Sequence, residues 1–277
     1  MKFSLVTLVL PSIETDYMEE WVSHNLSIGF DRIFIYENGP KSVDRRWNLE
    51  SLDGWYPSKQ SSGNSRSYDQ NMEILRDLES SHDEVTLLSW HAPYRAVKKA
   101  WKKSRPRQKQ VISQLAVYED AISRHSSDWW MMSDPDEFLW LSCDSLTDLV
   151  ELQDTKGNLG AMRFHQRVFA QRGGSLPVRS IFNYGYSTFG RSKPPEFFKS
   201  LARSPVNTSI HTAGCKDPNF NRSVTLHIEE ARVHHYRGDP YTSSKGVDVR
   251  DYHQKLYDKL GRPCFNSIDD SMSKYLL

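Results

Sequence analysis

Asp128-Trp129-Trp130-Met131-Met132-Ser133-Asp134-Pro135-Asp136-Glu137-Phe138-Leu139-Trp140-Leu141 joins two apolar runs through a cluster of acids. The first run has the length of a strand, and three carboxylates, Asp134, Asp136 and Glu137, follow within four residues. Carboxylates that close repel one another and resist burial, so a hydrophobic strand that ends on them needs a compensating charge. A divalent cation is the simplest. Hard oxygen ligands at the end of a buried strand suit Mg²⁺ or Mn²⁺, which bridges the oxygens of a diphosphate. The alternative is an ordinary acidic turn, because Asp-Pro also opens turns.

The preceding segments alternate strand and helix. Phe3 to Leu10 is a continuous Val- and Leu-rich run, as in a strand covered on both faces, and Pro11-Ser12 ends it. Thr15 to Ile28 reads as a helix with Met18, Trp21, Val22 and Leu26 on one face, Thr15 as cap and Gly29 as stop. Arg32 to Tyr36 is a second strand, ended by Glu37-Asn38-Gly39-Pro40. Strand, helix, strand in this span is a βαβ unit with parallel strands. Pro57 to Asp69 is polar and reads as a loop, Val85 to Leu88 as a third strand, and Gln110 to Ser123 as an amphipathic helix. The fold class expected is therefore α/β, with a doubly wound, mostly parallel sheet whose ligands bind at the carboxyl ends of its strands. Glu14, Glu37-Asn38 and Asp134-Pro135-Asp136 all fall at such ends.

After Cys143 the character changes. Asp144 to Gln153 reads as a short helix and Gly160 to Ala170 as a strand. Arg172 to Pro218 is loop-rich, Val224 to Tyr236 is strand-like and Val249 to Leu260 helical. The expectation is one domain over 1–277, with a nucleotide-binding half at 1–142 and an acceptor-side half at 143–277.

With 277 residues, 38% of them apolar, the chain can build one large core. Its net charge of +1 gives no field to draw nucleic acid. Arg95 to Lys109 carries eight basic residues and no acid, which suits phosphates, an acidic glycan, peripheral contact with a membrane surface, or simply a solvated helix face. Cys143, Cys215 and Cys264 are widely spaced and odd in number, which fits neither a disulfide framework nor a zinc site and suggests a reducing compartment. The apolar N-terminal run is short and lacks a small-residue cleavage site, and no stretch approaches the roughly 20 apolar residues of a membrane span, so the location expected is cytoplasmic.

Several elements recur in a fixed order. Glu14 follows the first strand, Glu20-Trp21-Val22-Ser23-His24 lies on the first helix, and Tyr36-Glu37-Asn38 ends the second strand. Gln114-Leu115-Ala116-Val117-Tyr118 then precedes Asp134-Pro135-Asp136-Glu137-Phe138, and Phe198-Lys199-Ser200, His211 and His234-His235-Tyr236 come later. This order, over about residues 3 to 237, resembles glycosyltransferase family 92 and its family-2-like neighbours, which have a GT-A fold. The chain departs from their pattern in carrying Ser12-Ile13-Glu14 near the first strand, where Lys-Asn-Glu is common, and Glu37 in place of Asp.

The resemblance implies a metal-dependent, inverting transfer of a sugar from a nucleotide-diphosphate donor, UDP by default, to a glycan or other hydroxyl acceptor. It implies that Asp134, Asp136 and His235 face Mn²⁺ or Mg²⁺, with Asp136 the direct ligand, and imidazole favours Mn²⁺. Glu14, Glu37 and Asn38 would contact the nucleoside, Gln114 the donor sugar or diphosphate, and Lys199 the leaving diphosphate. The acceptor proton needs a base, for which Glu196 and Asp217 stand in the loop-rich half, with Glu137 and His211 as further options. Trp21 and Tyr118 fit a core stripe, and His24 fits helix packing. Two other readings are a non-catalytic sugar-nucleotide or glycan-binding protein of the same fold, and a nucleotidyltransferase. The latter would be expected to carry a glycine-rich basic loop after the first strand, and Leu10 to Tyr17 has none.

Overall fold

A computed structural model of the chain describes residues 1–9, 11, 15, 18–37, 68–90, 106–170, 186–187, 198–208, 213–237 and 267–268. The helix expected at 249–260, the basic run from 95 to 105, and Glu14, Asn38, Glu196, His211 and Cys264 lie outside the described residues.

The first half is the expected βαβ alternation. β1 (Phe3–Val9) is buried along its whole length, which only a strand covered on both faces can be. α1 (Met18–Ser27) returns the chain to β2 (Arg32–Glu37), which pairs parallel to β1. Gly29 ends α1 at φ +104°, a conformation that glycine adopts without a Cβ clash. α2 (Tyr68–Ser81) leads to β3 (Val85–Ser89), and α3 (Pro106–Arg124) to β4 (Trp129–Met132).

All four strands are parallel in the order β3-β2-β1-β4. Helices cover both faces, as in a doubly wound sheet. α1 and α2 pack Met18, Trp21, Val22, Met72, Leu75 and Leu78 on one face, and α3 packs Val117, Tyr118 and Ala121 on the other. The order reverses direction between β1 and β4, which opens a crevice at their carboxyl ends.

The sheet continues into the second half. β4 is followed directly by β5 (Glu137–Leu141), then α4 (Leu146–Gln153), capped by Ser145, and β6 (Leu159–Ala170). β7 (Tyr186–Ser187) lies beyond β6. β8 (Phe198–Arg203) inserts antiparallel between β4 and β6 and joins the two halves. β9 (Val206–Thr208) and β10 (Ala213–Cys215) form a separate two-stranded sheet. β11 (Arg222–Thr225) and β12 (Ala231–Arg237) both run parallel to β6, and β12 also pairs antiparallel with β5. β13 (Ser267–Ile268) pairs with β7.

Three expectations change. The end of the polar stretch at 57–69 is helical, because α2 begins at Tyr68 and buries Asn71, Met72, Leu75 and Leu78. Glu79 on α2 also accepts a hydrogen bond from the Leu87 N–H at 2.8 Å, which occupies a donor on the edge strand β3. The strand read at 224–236 is two strands, since the chain turns at 228–230. Thr15 gives its hydroxyl to Asn71 Oδ1 at 2.7 Å, so it ties α1's entry to α2.

A Cβ on Gly160 in β6 would collide with the backbone carbonyl of Phe220, which cannot swing aside as a side chain can. Gly160→Ala should lose about 2–3 kcal/mol in urea unfolding, and a loss under about 0.5 would contradict the close approach.

His125 stacks on Phe34 at 4.1 Å, and burial holds its imidazole below the usual histidine range. Below about pH 6.5 the unfolded chain binds a proton at this site that the folded one resists, so stability should fall as pH drops through that value. His125→Phe should keep the stack and flatten that part of the pH–stability curve.

Candidate functional site

β4 ends at Met132, and the chain turns through 133–136 before entering β5. The turn therefore sits at the carboxyl end of the parallel sheet, beside the crevice between β1 and β4. β8 runs antiparallel to β4 with Leu201 opposite Met131, so its amino end, Phe198-Lys199-Ser200, passes the turn. β12 runs antiparallel to β5 with His235 opposite Glu137. Residues separated by up to about a hundred positions thus meet at one edge.

Glu137 is the hub. Its carboxylate is buried and receives four donors: Lys199 Nζ at 2.7 Å, the Asp134 N–H at 2.8 Å and Ser133 Oγ at 3.0 Å on one oxygen, and Gln166 Nε2 at 2.6 Å on the other. Burial pushes this carboxyl above the usual carboxylate range, while Lys199 pulls it back down. Four convergent donors suit the ionised form, which is the state this cage accommodates.

Lys199 is 0% exposed. Burial alone would discharge it, but Asp134 and Glu137 outweigh that cost and hold the ammonium well above the usual lysine range. Its Nζ also lies 3.3 Å from Asp134 Oδ2, while Gln114 Nε2 on α3 donates to Asp134 Oδ1 at 2.8 Å. Both oxygens of Asp134 are therefore engaged by protein groups.

Asp136 points elsewhere, toward β12. Its Oδ2 lies 3.2 Å from His235 Nε2, and the other ring nitrogen of His235 lies 3.8 Å from Glu137 Oε1. Asp136 and His235 thus meet directly, a carboxylate oxygen against a ring nitrogen at hydrogen-bond distance, with both side chains partly exposed. Among the described residues no three His, Cys, Asp or Glu side chains gather as an all-protein metal cage. A carboxylate with an imidazole does fit a cation of the Mn²⁺ or Mg²⁺ type, which completes its shell with substrate oxygens and water rather than a closed protein cage.

The remaining expected residues are more scattered. Glu37 is 2% exposed at the end of β2 and accepts a hydrogen bond from the Tyr68 hydroxyl at 3.1 Å. Asp217 is half-buried, and its Oδ1 accepts from the Asn219 N–H at 2.9 Å within its own turn. That turn packs near Gly160 and Arg203, and Arg203 also lies over Trp129 at the start of β4. Asp217 is thus placed toward the amino end of β4, away from the acid cluster. Glu14, Asn38 and Glu196 lie outside the described residues.

Trp21 and His24 have a more specific place than core packing. Trp21 Nε1 donates to the Glu137 carbonyl at 2.8 Å, and His24 Nε2 meets the Leu139 carbonyl at 2.8 Å. Two positions apart on a strand, these carbonyls point off the same edge, and residues three apart on a helix share a face. α1 therefore clamps the edge of β5 that β12 does not cover.

Gln166 was not singled out in the sequence, because one glutamine in a strand gives no signal. Glu137 carried one, as the third acid of the cluster.

No protein-family model matches the chain, and no curated protein sequence matches it. Among solved structures, S. aureus TarS 1–349 is 10% identical at a TM-score of 0.41, over 100% of this chain and 71% of that one. The same protein in complex with UDP-GlcNAc gives 9% and 0.43, over 100% and 72%. The mannosyltransferase PcManGT from Pyrobaculum calidifontis, in complex with GDP-Man and Mn²⁺, gives 10% and 0.39, over 93% and 60%. Likenesses this distant identify neither a family nor a substrate.

Trp21→Phe should keep the ring and leave the Glu137 carbonyl without its donor. The expected loss is about 1–3 kcal/mol in chemical unfolding. A loss as large in His24→Phe would show that the two clamps act alike, and no loss in either would refute the clamp.

Proposed function

We propose that the chain is a metal-dependent glycosyltransferase of GT-A type, which moves a sugar from a nucleotide-diphosphate donor to a hydroxyl acceptor. The observation that carries this reading is the convergence of Asp136 and His235, from β4's exit and from β12, at the carboxyl end of a parallel sheet. The ordered motifs in the sequence support it independently.

Asp136 and His235 would hold Mn²⁺ or Mg²⁺, with Asp134 beside them. When bound, such an ion stabilises the negative charge that develops on a departing diphosphate. Glu37, with Glu14 and Asn38, would accept hydrogen bonds from the nucleoside, for which we take uridine as the default. Gln114 would reach the donor from α3. Lys199 acts on the donor only through Asp134, since its ammonium is buried against two acids.

Displacement at the anomeric carbon with inversion forms the new glycosidic bond as the bond to diphosphate breaks, and the acceptor's proton must pass to a base on the far face. Glu196 is the base we propose. Asp217 is a weaker candidate because its turn lies toward the other end of β4. Glu137 is committed to four donors and is not available for this work. The acceptor proposed is a glycan, bound on the 143–277 side, and the free thiols of Cys143 and Cys215 suit a reducing compartment. Among the described residues no helix is long and apolar enough to cross a membrane.

Calorimetric titration with UDP and with GDP, each with and without Mn²⁺, tests the reading on the wild type and on Asp136→Ala. Metal-dependent UDP binding that is lost in the variant is the expected result. Metal-dependent GDP binding would change the donor class and keep the mechanism. Absence of binding under all four conditions would overturn the proposal.

A further inference from the structure

A buried lysine costs folding free energy unless it is paired, and a stable sheet has no need of one at this position. Leu201 and Ala202, further along β8, are apolar and buried, as a central strand requires. Lys199 instead brings a permanent positive charge to the carboxyl end of β4, where it contacts Glu137 at 2.7 Å and Asp134 at 3.3 Å. Asp136 is not among its partners, and faces His235. The three acids of the turn are thus divided: Glu137 is neutralised by the ammonium, Asp134 is shared between the ammonium and Gln114, and Asp136 meets His235.

We propose that Lys199 is a positioning residue and internal counter-cation, which holds Asp134 in place and sets the turn's net charge at the value a single divalent ion cancels. Asp134, Asp136 and Glu137 contribute three negative charges, and Lys199 removes one. This rests on the metal reading given above and adds to it a charge setting that a purely structural ion pair would not have.

The setting makes an ordered prediction across three variants. Lys199→Met keeps length and volume but takes from the buried Glu137 the cation that holds its carboxyl down, so the net charge stays near the wild-type value or becomes more negative. Glu137→Gln keeps the shape and one acceptor and leaves a single net negative charge. The double variant removes both partners and restores the wild-type charge.

A unit charge about 6 Å from a divalent ion alters its affinity by about ten-fold even at the dielectric of bulk water, and by more in a buried setting. MnCl₂ titrated alone, and followed by loss of the electron paramagnetic signal of free Mn²⁺, should therefore bind at least about ten-fold more weakly to Glu137→Gln, and with near wild-type affinity to the double variant. Lys199→Met should bind at least as tightly as the wild type. Thermal melts without metal report folding separately. If Lys199→Met does not fold, Glu137→Gln and the double variant carry the comparison, because removing both partners of a buried pair is tolerated better than removing one.

Equal Mn²⁺ affinity in the wild type and the folded variants would overturn this proposal and leave the metal reading in place. No Mn²⁺ binding by the wild type, with or without UDP or GDP, would overturn both.

Discussion

Two opposite charges taken out of water at the end of β4 constrain the molecule around them. A buried carboxylate and ammonium are tolerated only when their remaining lone pairs and protons are matched, and here the matching groups come from four strands and their connections. Ser133 and the Asp134 N–H come from the exit of β4, Gln166 from β6, Lys199 from β8, and Glu137 opens β5. No one of these strands can shift register without exposing a charge to an apolar core. Breaking such a pair by removing one partner typically costs about 3–5 kcal/mol, which is a large share of the stability of a single domain.

The antiparallel insertion of β8 explains how Lys199 reaches this edge. In a purely parallel sheet every strand reaches the ligand edge with its carboxyl end. Because β8 runs the other way, it delivers its amino end, and Lys199 sits near Asp134 although 65 positions separate them. β12 runs parallel to β6, and so to β4, and brings His235 to the same edge with its carboxyl end, opposite the start of β5. The edge of β5 opposite β12 would leave carbonyls unpaired, and α1 answers with an indole and an imidazole. The helix of the first βαβ unit is thereby tied to the acid turn, so the two halves share one scaffold.

The parts of this scaffold set by local pattern were legible in the sequence. β1, β2 and β4 are short apolar runs bounded by turn residues, and α1 and α3 show a buried stripe. α2 was not, because its core residues Met72, Leu75 and Leu78 are set among charged and amide side chains and follow a long polar run. The break between β11 and β12 was hidden for a related reason: both segments have strand character and only the turn at 228–230 separates them. Among site residues, the acids could be read because they oppose the apolar run before them. The burial of Lys199 could not, since a lysine between Phe198 and Ser200 looks the same whether its strand lies at the surface or inside. Its state is fixed by the register with β4 and β6, which no local pattern records.

Trp21 and His24 show the same limit from the opposite side. Their spacing marks them as one helix face, and a core stripe accounts for that face without further assumption. What the spacing does not carry is that the partners are backbone carbonyls, Glu137 and Leu139, on a strand reached more than a hundred residues later. A phenylalanine would fill much of the volume under Trp21 but could not donate a proton. The chemistry at the acid turn therefore depends on groups of two kinds. Asp136 and His235 meet at the turn with both side chains partly exposed, where charge can meet a ligand. Behind them Lys199, Gln166, Trp21 and His24 spend their hydrogen-bonding capacity on holding Glu137 and its strand. The site we propose would rest on few groups, and the second set would serve it by ordering the turn beforehand, since a ligand held by few contacts gains little if those contacts must first be ordered.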